Sequence, residues 1–273
     1  MSRILFCDLS PTTYRISVEK GILLRHLRDL FTGVRFARQR QQAPLPTLVY
    51  RHNSLIRRRL GNVNMQLQEN KATNLALATP KVSGVLIRPG ETFSLWKLIG
   101  RTSASRGYCE GLTIARGKPS QGIGGGLCQF SNLIHWMMLH SELTIVEHHH
   151  HDGVDLFPDY NRKIPFGTGT SITYNYLDYR VRNDTDNTYQ LITYVDGEYL
   201  RGELRALRPQ TYSFHIHVDD EHFVREADGI YRCGTVVRDK TDRRTGRLVA
   251  QQTIRTNHAK IMYELPEDKV IKT

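Results

Sequence analysis

Cysteines are few in this chain, and they are not arranged in pairs. The 273 residues contain four cysteines, Cys7, Cys109, Cys128 and Cys233, with no Cys-x-x-Cys spacing. A disulfide framework requires denser cysteines, and a zinc site or a dithiol redox centre requires close pairs. The sequence therefore predicts free thiols in a reducing compartment.

Long apolar runs are also missing from the sequence. No segment approaches the roughly 20 consecutive apolar residues that cross a bilayer. The opening residues 1–8 lose their apolar character too early for a signal peptide. We therefore expect a cytoplasmic protein, either free or lying peripherally at the inner face of the membrane.

Acidic residues are scarce in the N-terminal part, which makes this part a basic arm. Between residues 15 and 59 only Glu19 and Asp29 are acidic, and the formal net charge of the whole chain is +11. Such an arm has three candidate partners: nucleic acid, an anionic membrane surface or an acidic envelope polymer. The chain lacks a helix-turn-helix, zinc-finger or RNP signature, which argues against nucleic acid.

Within this arm, the segment Gly21 to Phe31 has leucines at helical spacing with arginines between them. The pattern is typical of an amphipathic helix that lies on a membrane surface. It also fits a helix that packs on the domain with a solvated outer side. Both interpretations stay open from the sequence, with a slight preference for the second.

The most informative segment is a glycine-rich loop, residues 122–126, that leads into a helical pattern. Apolar residues recur after it at helical spacing: Leu127, Phe130, Ile134, Met137 and Met138. This spacing predicts a helix that begins near Cys128. A helix N-terminus favours negative charge, so it stabilises either a Cys128 thiolate or a bound anion. The candidate anion ligands are Gly124, Gly125, Gly126 and Ser131. The alternative is a cysteine buried beside a tight turn.

The glycine-rich loop does not match the common nucleotide-binding patterns. A P-loop ends in Gly-Lys-Ser/Thr, whereas this loop ends in Gly-Leu-Cys. A dinucleotide fingerprint requires glycine at the position of Leu127. We therefore expect no nucleotide cofactor, and the sequence indicates no other cofactor.

A run of histidines follows the predicted helix. A helix over 128–141 and a returning strand over 144–150 each span about 20 Å, which places the end of the strand beside the start of the helix. The histidine run would therefore lie near Cys128, as in sites where an imidazole activates a thiol. His135 lies two turns along the helix, about 10 Å from Cys128, and is expected to be structural.

The histidines themselves leave alternatives open. In an extended segment His149 and His151 face one side and His148 and His150 the other, so only one pair can address the cysteine. A solvated loop is one alternative. Metal binding is another, although an obvious third ligand is missing. The sequence therefore predicts no metal site here.

Several segments together resemble a known bacterial family. They are Arg88 to Ser94 (Arg-Pro-Gly-Glu-Thr-Phe-Ser), Gly107-Tyr108, Gly122 to Ser131, Ile145 to Glu147 with the histidine run, and Tyr174 to Asn183. Over roughly residues 50–205 the chain is similar to the VanW family. The resemblance implies a bacterial protein associated with the cell envelope, and it implies no established activity.

The resemblance also bears on individual residues and on chain organisation. In the family the glutamate is followed by a basic residue and a His-x-His pair, which corresponds to His149 and His151, with His148 and His150 at the other two positions. Many members carry signal or membrane segments and further domains. This chain shows neither, so a short, stand-alone type is expected.

The predicted fold class is α+β, with three parts. These are a basic helical arm over residues 1–60, a VanW-like mixed domain over 61–206 with the glycine-loop, helix and strand motif, and a β-rich extension over 207–273. The expected elements are a helix over 62–79, a strand over 171–181, a hairpin over 189–204 turning at Asp196-Gly197, and strands over 212–218, 229–238 and 248–253.

One spacing in the extension suggests a metal site. His215, His217 and Glu221 have the His-x-His-x-x-x-Glu spacing of a cupin. The flanking glycines are not at the expected positions, and a match of three residues in a histidine-rich chain is weak. We interpret these residues as alternating positions of a strand.

The leading functional hypothesis is a cysteine-dependent hydrolase or acyltransferase that acts on peptidoglycan-type peptides. Cys128 would be the nucleophile, His149 or His151 the base, and Gln129 or nearby backbone amides the oxyanion donors. An aspartate would orient the imidazole, with Asp152 and Asp155 as candidates and Asp178 preferred because it lies in a matched segment.

Two other classes of function stay open from the sequence. The first is a non-catalytic module in which the glycine-rich loop and arginines bind an anionic peptidoglycan precursor. The second is a scaffold for other envelope proteins. The sequence does not indicate an oligomeric state.

Overall fold

A computed structural model describes residues 5–57, 65–115, 118–150, 153–156, 158, 164–174, 176–266 and 270–271. It contains both helices and strands, which confirms the predicted α+β class. The α-helices are α1 (Pro11–Phe31), α2 (Met65–Val82), α3 (Leu95–Ile99) and α4 (Cys128–Leu139). In the described part of the chain, no helix is long and apolar enough to cross a membrane.

The strands of the central part form three small sheets. Their bounds are β1 (Thr47–Leu55), β2 (Val85–Ile87), β3 (Thr92–Ser94), β4 (Glu110–Ala115), β5 (Lys118–Ile123), β6 (Thr144–Glu147), β8 (Arg180–Arg182), β9 (Tyr189–Asp196) and β10 (Tyr199–Ala206), with β7 (Val154–Asp155) between β6 and β8 along the chain. One sheet has the order β1-β10-β9-β2, a second has the order β3-β8-β6, and β4 pairs with β5.

The C-terminal part is one larger sheet. Its long strands are β11 (Tyr212–Glu226), β12 (Gly229–Asp242) and β13 (Leu248–Ile261), and β14 (Val270–Ile271) follows them. The sheet order is β14-β11-β12-β13-β7, so the short strand β7 from the central part extends it at one edge. The two parts of the chain are therefore joined through shared backbone pairing.

Helix α4 lies between the four-stranded sheet and the C-terminal sheet. Its side chains Phe130, Ile134 and Met137 are fully buried in the main core. On its other side, Trp136 and Leu139 pack with Ile216 of β11 and Val236 of β12. Burial of both sides explains why apolar residues dominate this helix beyond its first turn.

A glycine allows α4 to approach its sheet closely. A Cβ atom on Gly202 of β10 would lie 2.6 Å from the side chains of Leu133 and Met137, a distance that real contacts do not reach. Because glycine leaves that space open, the helix can pack against the backbone of the strand. This packing fixes the position of the helix that begins at Cys128.

Several predicted elements are confirmed. The hairpin turning at Asp196-Gly197 forms β9 and β10, which pair antiparallel from Asp196 with Tyr199 to Tyr189 with Ala206. The predicted second helix is α2. The C-terminal strands are present and longer than expected, and the turn at Gly246 joins β12 to β13.

Other predicted elements differ from the structure. The expected strand over 171–181 is limited to β8, because mutual backbone hydrogen bonds between Thr173 and Leu177 close a turn within that segment. The histidine strand ends at Glu147. Residues 47–55, inside the predicted helical arm, form β1, which pairs along β10 because its β-branched and aromatic residues suit a half-buried strand. The division of the chain at residues 60 and 206 stays a prediction.

Candidate functional site

The site begins at the glycine-rich loop before α4. Gly124 and Gly126 have φ angles of +78° and +90°, which favour glycine. A Cβ atom on Gly125 would lie 2.2 Å from the backbone of Gly111, and one on Gly126 would lie 2.3 Å from the Lys71 side chain. The glycines therefore allow β4 and α2 to approach the start of α4, which the structure places at Cys128 as predicted.

A pocket of about 360 Å³ opens at the start of α4. Its polar lining comes from eight places in the chain: Ser54 of β1; Gln68 and Lys71 of α2; Thr113 of β4; Cys128, Gln129 and Asn132 of α4; His150 after β6; Asp155 of β7; Thr168 and Thr170 of the following segment; and Arg255, Asn257 and His258 of β13. The C-terminal sheet thus supplies one wall of a pocket whose floor is the glycine-loop helix. Of the predicted loop ligands, Gly126 also lines it.

The Cys128 thiol faces this pocket in a largely buried environment. The residue is half-buried, and burial raises the pKa of its thiol above the usual value. Backbone hydrogen bonds from Ile172 and from Cys128 itself oppose that rise in pKa. The lowering expected from the helix N-terminus is thus outweighed by desolvation. A base is therefore required to form the thiolate at neutral pH.

The histidine run places alternate side chains on opposite sides, and the side that meets the pocket contains His150. The rings of His148 and His150 lie 4.0 Å apart, and His150 lines the pocket. His149 instead makes a 3.0 Å contact from Nε2 to Glu147 Oε1. His151 and Asp152 lie outside the described residues. The geometry therefore favours His150 over His149 as the histidine that shares the pocket with Cys128.

Behind His150 the imidazoles continue into the core as a stack. His148 stacks on His135 with 4.0 Å between ring centroids, and His135 Nδ1 lies 3.1 Å from the Tyr179 hydroxyl. Burial lowers the pKa of His135 well below its usual value and lowers that of His148 to about 4. Both rings are therefore neutral near pH 7. The structural role expected for His135 agrees with its complete burial.

Asp178 occupies a structural position. Its carboxylate accepts hydrogen bonds from Ser94 Oγ at 2.5 Å, from the backbone N–H of Trp96 at 3.1 Å and from Arg180 Nε at 2.8 Å. These contacts hold the start of α3 against β8. Among the described residues its hydrogen-bond partners include no histidine, so the predicted orienting role finds no geometric support. Asp155 is likewise engaged, by Arg232 and Tyr263.

Gln129 and Ser131 also have structural partners. The Gln129 side-chain nitrogen donates to Ser54 Oγ and to the Leu55 carbonyl, at 2.8 Å each. Its two N–H donors are thus directed at β1, so this amide does not provide the expected oxyanion donor. Ser131 is buried, donates to the Cys128 carbonyl at 3.0 Å and contacts the Thr170 hydroxyl.

Asn132 is a pocket residue that sequence reasoning missed. Its Oδ1 accepts hydrogen bonds from the Thr170 backbone N–H at 2.7 Å and from the Thr170 hydroxyl at 2.8 Å. This pairing fixes the orientation of the amide. Asn132 lies four residues after Cys128, so the two side chains share one face of α4. The spacing of four residues could have placed Asn132 beside Cys128 from the sequence, but it could not have indicated that Asn132 lines the pocket.

No local sequence pattern marks the basic and polar residues of α2 and β13 as pocket residues. Lys71 lies in a helical segment of mixed composition and resembles an ordinary solvated lysine, yet it is buried beside Gly126. Asn257 donates to the Phe166 carbonyl at 3.1 Å and accepts from Arg255 Nε at 3.0 Å. These contacts hold the segment around Phe166 against β13, and only long-range strand pairing creates them.

The described residues contain no group of three or more His, Cys, Asp or Glu side chains that could hold a metal ion. The cupin-like spacing of β11 has another explanation. Glu221 accepts hydrogen bonds from Arg232 at 2.9 and 2.6 Å, and the strand register shifts between Asp219 and His222. The His215 and His217 rings stack with 5.5 Å between centroids, as alternating residues on one face of a strand.

The sequence is similar to those of known proteins. Residues 70–205 match the family model described as VanW like protein. Over 237 residues, 87% of this chain and 86% of the relative, the sequence is 37% identical to "Vancomycin B-type resistance protein VanW" of Enterococcus faecalis (strain ATCC 700802 / V583). It is 25% identical over 118 residues to "Uncharacterized protein YoaR" of Bacillus subtilis (strain 168), which covers 42% of this chain and 36% of that relative.

No solved structure shows significant similarity to the chain. The family model covers the glycine-rich loop, Cys128, the histidine segment and Lys71, whereas the pocket residues of β1 and β13 lie outside it. The identity to the enterococcal relative extends over most of both chains. The chain therefore belongs to the VanW family.

Proposed function

We propose that this protein is a cysteine-dependent acyltransferase or hydrolase that acts on peptidoglycan-type peptides and is associated with vancomycin resistance. One observation carries the chemistry: Cys128, at the start of α4, and His150 line the same pocket. The name of the enterococcal relative supports the link to vancomycin resistance.

In the proposed reaction His150 replaces His149 as the base. It accepts the proton of the Cys128 thiol, and the sulfur attacks the carbonyl carbon of a peptide bond. The C–N bond then breaks, the leaving amine takes the proton from His150, and a thioester forms on Cys128. Water or an acceptor amine attacks this thioester and regenerates the thiol. The raised pKa of the thiol explains why a base must act in the first step.

Asn132 and the basic residues would complete the site. The Asn132 amide is oriented by Thr170 and faces the pocket one turn from Cys128, where it can donate to the developing oxyanion. Lys71 and Arg255 give the pocket a positive wall, which suits the carboxylate of a peptide. The site therefore combines a nucleophile, a base, a donor for the oxyanion and a recognition element for an acid.

Trapping of the thioester tests this proposal. The full chain is incubated with soluble peptidoglycan precursors that bear the stem peptide, acidified and measured by intact-protein mass spectrometry. We expect an adduct that maps to Cys128, disappears in Cys128→Ala and is slowed at least about a hundredfold in His150→Gln. Cys109→Ala is the matched control because Cys109 lies outside the pocket lining. An adduct that survives in Cys128→Ala would refute the nucleophile assignment.

A second candidate function is binding of an anionic envelope precursor without chemistry. The raised pKa of Cys128 and the positive wall formed by Lys71 and Arg255 favour it. Binding predicts that Cys128→Ser keeps full affinity and the full resistance phenotype, whereas Arg255→Gln loses both. Catalysis predicts that Cys128→Ser keeps affinity and loses the phenotype, so calorimetry and a resistance assay on the two variants separate the alternatives.

A further inference from the structure

Helix α1 attaches to the rest of the protein through its charged side. Asp29 receives two hydrogen bonds from the Arg180 guanidinium, at 2.6 and 2.8 Å, and one ion pair from Lys97 at 2.9 Å. One turn earlier, Arg25 forms an ion pair with Glu147 at the end of β6. The helix is thus fixed to β8, α3 and the start of the histidine segment by buried or half-buried charges.

Few apolar side chains contribute to this attachment. Within α1 the buried residues are Ile22 and Asp29, each 8% exposed. Burial by itself would raise the pKa of Asp29, but its hydrogen bonds to Arg180 and Lys97 outweigh that effect and lower the pKa to about 2. The ion pairs therefore set the rotation of the helix about its axis, and they direct one particular face away from the protein.

The face directed away from the protein is apolar. Apart from Tyr14, which lies on another side of the helix, six large apolar side chains of α1 are between 41% and 81% exposed: Ile16, Leu23, Leu24, Leu27, Leu30 and Phe31. At about 100° per residue they fall within a sector of about 120° centred opposite Asp29 and Ile22. The preceding short helical turn adds the exposed side chains Leu5, Phe6 and Leu9. A soluble helix normally has the opposite orientation, with this stripe against the core.

Basic residues lie within and beside this apolar stripe. At about 100° per residue Lys20 lies within the stripe and Arg28 about 40° from its edge, and both are exposed. The two acidic residues of the helix are both engaged with arginines of the domain, Glu19 with Arg101 and Asp29 with Arg180. An apolar stripe bordered by basic side chains is complementary to a lipid bilayer, which has apolar acyl chains beneath negatively charged headgroups.

We propose that the outer face of α1 binds the surface of an anionic lipid membrane. The leucines and Phe31 enter the boundary between headgroups and acyl chains, and the basic side chains contact lipid phosphates. A second copy of the chain is a less suitable occupant, because antiparallel contact of two such faces brings basic residues together. In the cell this contact places the protein peripherally at the inner face of the membrane, and it does not depend on the proposed chemistry of Cys128.

Vesicle co-sedimentation of the full chain tests this proposal. The probes are vesicles of phosphatidylcholine alone and of phosphatidylcholine with phosphatidylglycerol, at low and high salt. We expect binding to the anionic vesicles that weakens with salt, and a partition coefficient that falls at least about tenfold in the triple variant Leu23→Gln, Leu27→Gln, Leu30→Gln. The matched control, Leu207→Gln, Leu248→Gln, Val249→Gln, removes three apolar residues elsewhere that are also more than half exposed, and it should bind normally.

A second variant and a second measurement keep the test decisive. Lys20→Gln, Arg28→Gln leaves the apolar face intact and should reduce binding to anionic vesicles and its salt dependence. Failure of the full chain to bind, or equal binding by the leucine variant and its control, would overturn the proposal. So would a dimer, seen by light scattering, that the leucine variant separates while no vesicle binding occurs. Circular dichroism verifies that each variant is folded.

Discussion

Helices α1 and α4 both have apolar residues at helical spacing, but the apolar face of α4 is buried and that of α1 is exposed. Both combine leucine-like residues at helical spacing with polar positions between them. In α4 every residue from Phe130 to Leu139 except Asn132 is buried, whereas α1 buries Ile22 and Asp29. The comparison shows that apolar periodicity locates a helix and its apolar face, but the groups that meet the other face decide which way it points.

The physical difference lies in what surrounds each helix. Helix α4 has an apolar partner on two sides, because the four-stranded sheet and β11–β12 both contact it. Helix α1 meets β8 and α3 at a place where Arg180, Lys97 and Glu147 are already present. Its own charged residues add partners to these groups, of which Arg180 also pairs with Asp178 and Glu147 also contacts His149. The leucines of α1 are left outside as a consequence.

The largest effect that separates the two helices is expected from a matched pair of phenylalanine substitutions. Phe130 of α4 is fully buried and Phe31 of α1 is 81% exposed. Phe130→Ala should lower the free energy of unfolding by about 3–5 kcal/mol through lost burial and a cavity. Phe31→Ala should change it by less than about 0.5 kcal/mol. Urea unfolding of both variants measures the two values, and similar losses would show that α1 is packed on both faces.

The second prediction concerns the charged attachment of α1. Asp29→Asn should destabilise the protein by about 3 kcal/mol, because Lys97 and the two Nη groups of Arg180 would lose the carboxylate to which they donate, while Arg180 Nε keeps Asp178. Asp184→Asn is the control, since the Asp184–Arg182 pair is exposed and should contribute less than about 1 kcal/mol.

The same pair of variants has a pH dependence. The folded-state pKa of Asp29 is lowered to about 2, below the ordinary value of 3.8, so its stabilising contribution is complete above about pH 4. It is lost as pH falls from about 4 towards 2. The unfolding free energy of Asp29→Asn should therefore decline less steeply in this window than that of the unsubstituted protein. Parallel curves would show that the carboxylate is not ionised against Arg180.

The site could be predicted from the sequence only where its residues lie close together in the chain. The glycine-rich loop leads into the helix that begins at Cys128, and the return of the chain brings His150 to the same pocket. The sequence did not decide which histidine faces Cys128, because strand β6 ends at Glu147, one residue before the run begins. The alternation of side chains then depends on the loop.

The rest of the site depends on contacts that are distant in sequence. Arg255 and Asn257 reach the pocket because β13 pairs with β7 and β12, and no local pattern reports such pairing. The orientation of α1 has the same origin, since Asp29 meets Arg180 across 151 residues of sequence. This helix packs on the domain with an exposed outer side, as preferred from the sequence, but it packs through its charged residues, and the exposed side contains the leucines.

The third prediction compares the neutral imidazole stack beside α4 with the charged attachment of α1. Burial lowers the pKa of His148 to about 4 from an ordinary value of 6.5. The unfolded chain therefore binds this proton more readily, and stability should fall as pH decreases from about 6.5 to 4. His148→Gln should recover about 1–2 kcal/mol of that loss, allowing for the partial exposure of the ring. Chemical unfolding at pH 7 and pH 4.5 measures this loss of stability in both proteins. An equal loss in His148→Gln and in the unsubstituted protein would show that groups other than His148 cause it.

The smallest expected effect concerns the two helix starts and is a change in the rate of thiol modification. Helix α1 begins with a capping box between Ser10 and Thr13, whereas α4 begins at Cys128 without a side-chain cap. The start of α4 favours negative charge, yet burial raises the thiol pKa, so iodoacetamide should modify Cys128 slowly at pH 7 and much faster above pH 9. His150→Gln should lower the rate at pH 7 by about tenfold or less, while His258→Gln, which removes a pocket histidine of β13, should not. Peptide mass spectrometry of timed samples gives these rates. Fast modification that is independent of pH between 6 and 9 would mean that the helix start, and not burial, controls the ionisation of Cys128.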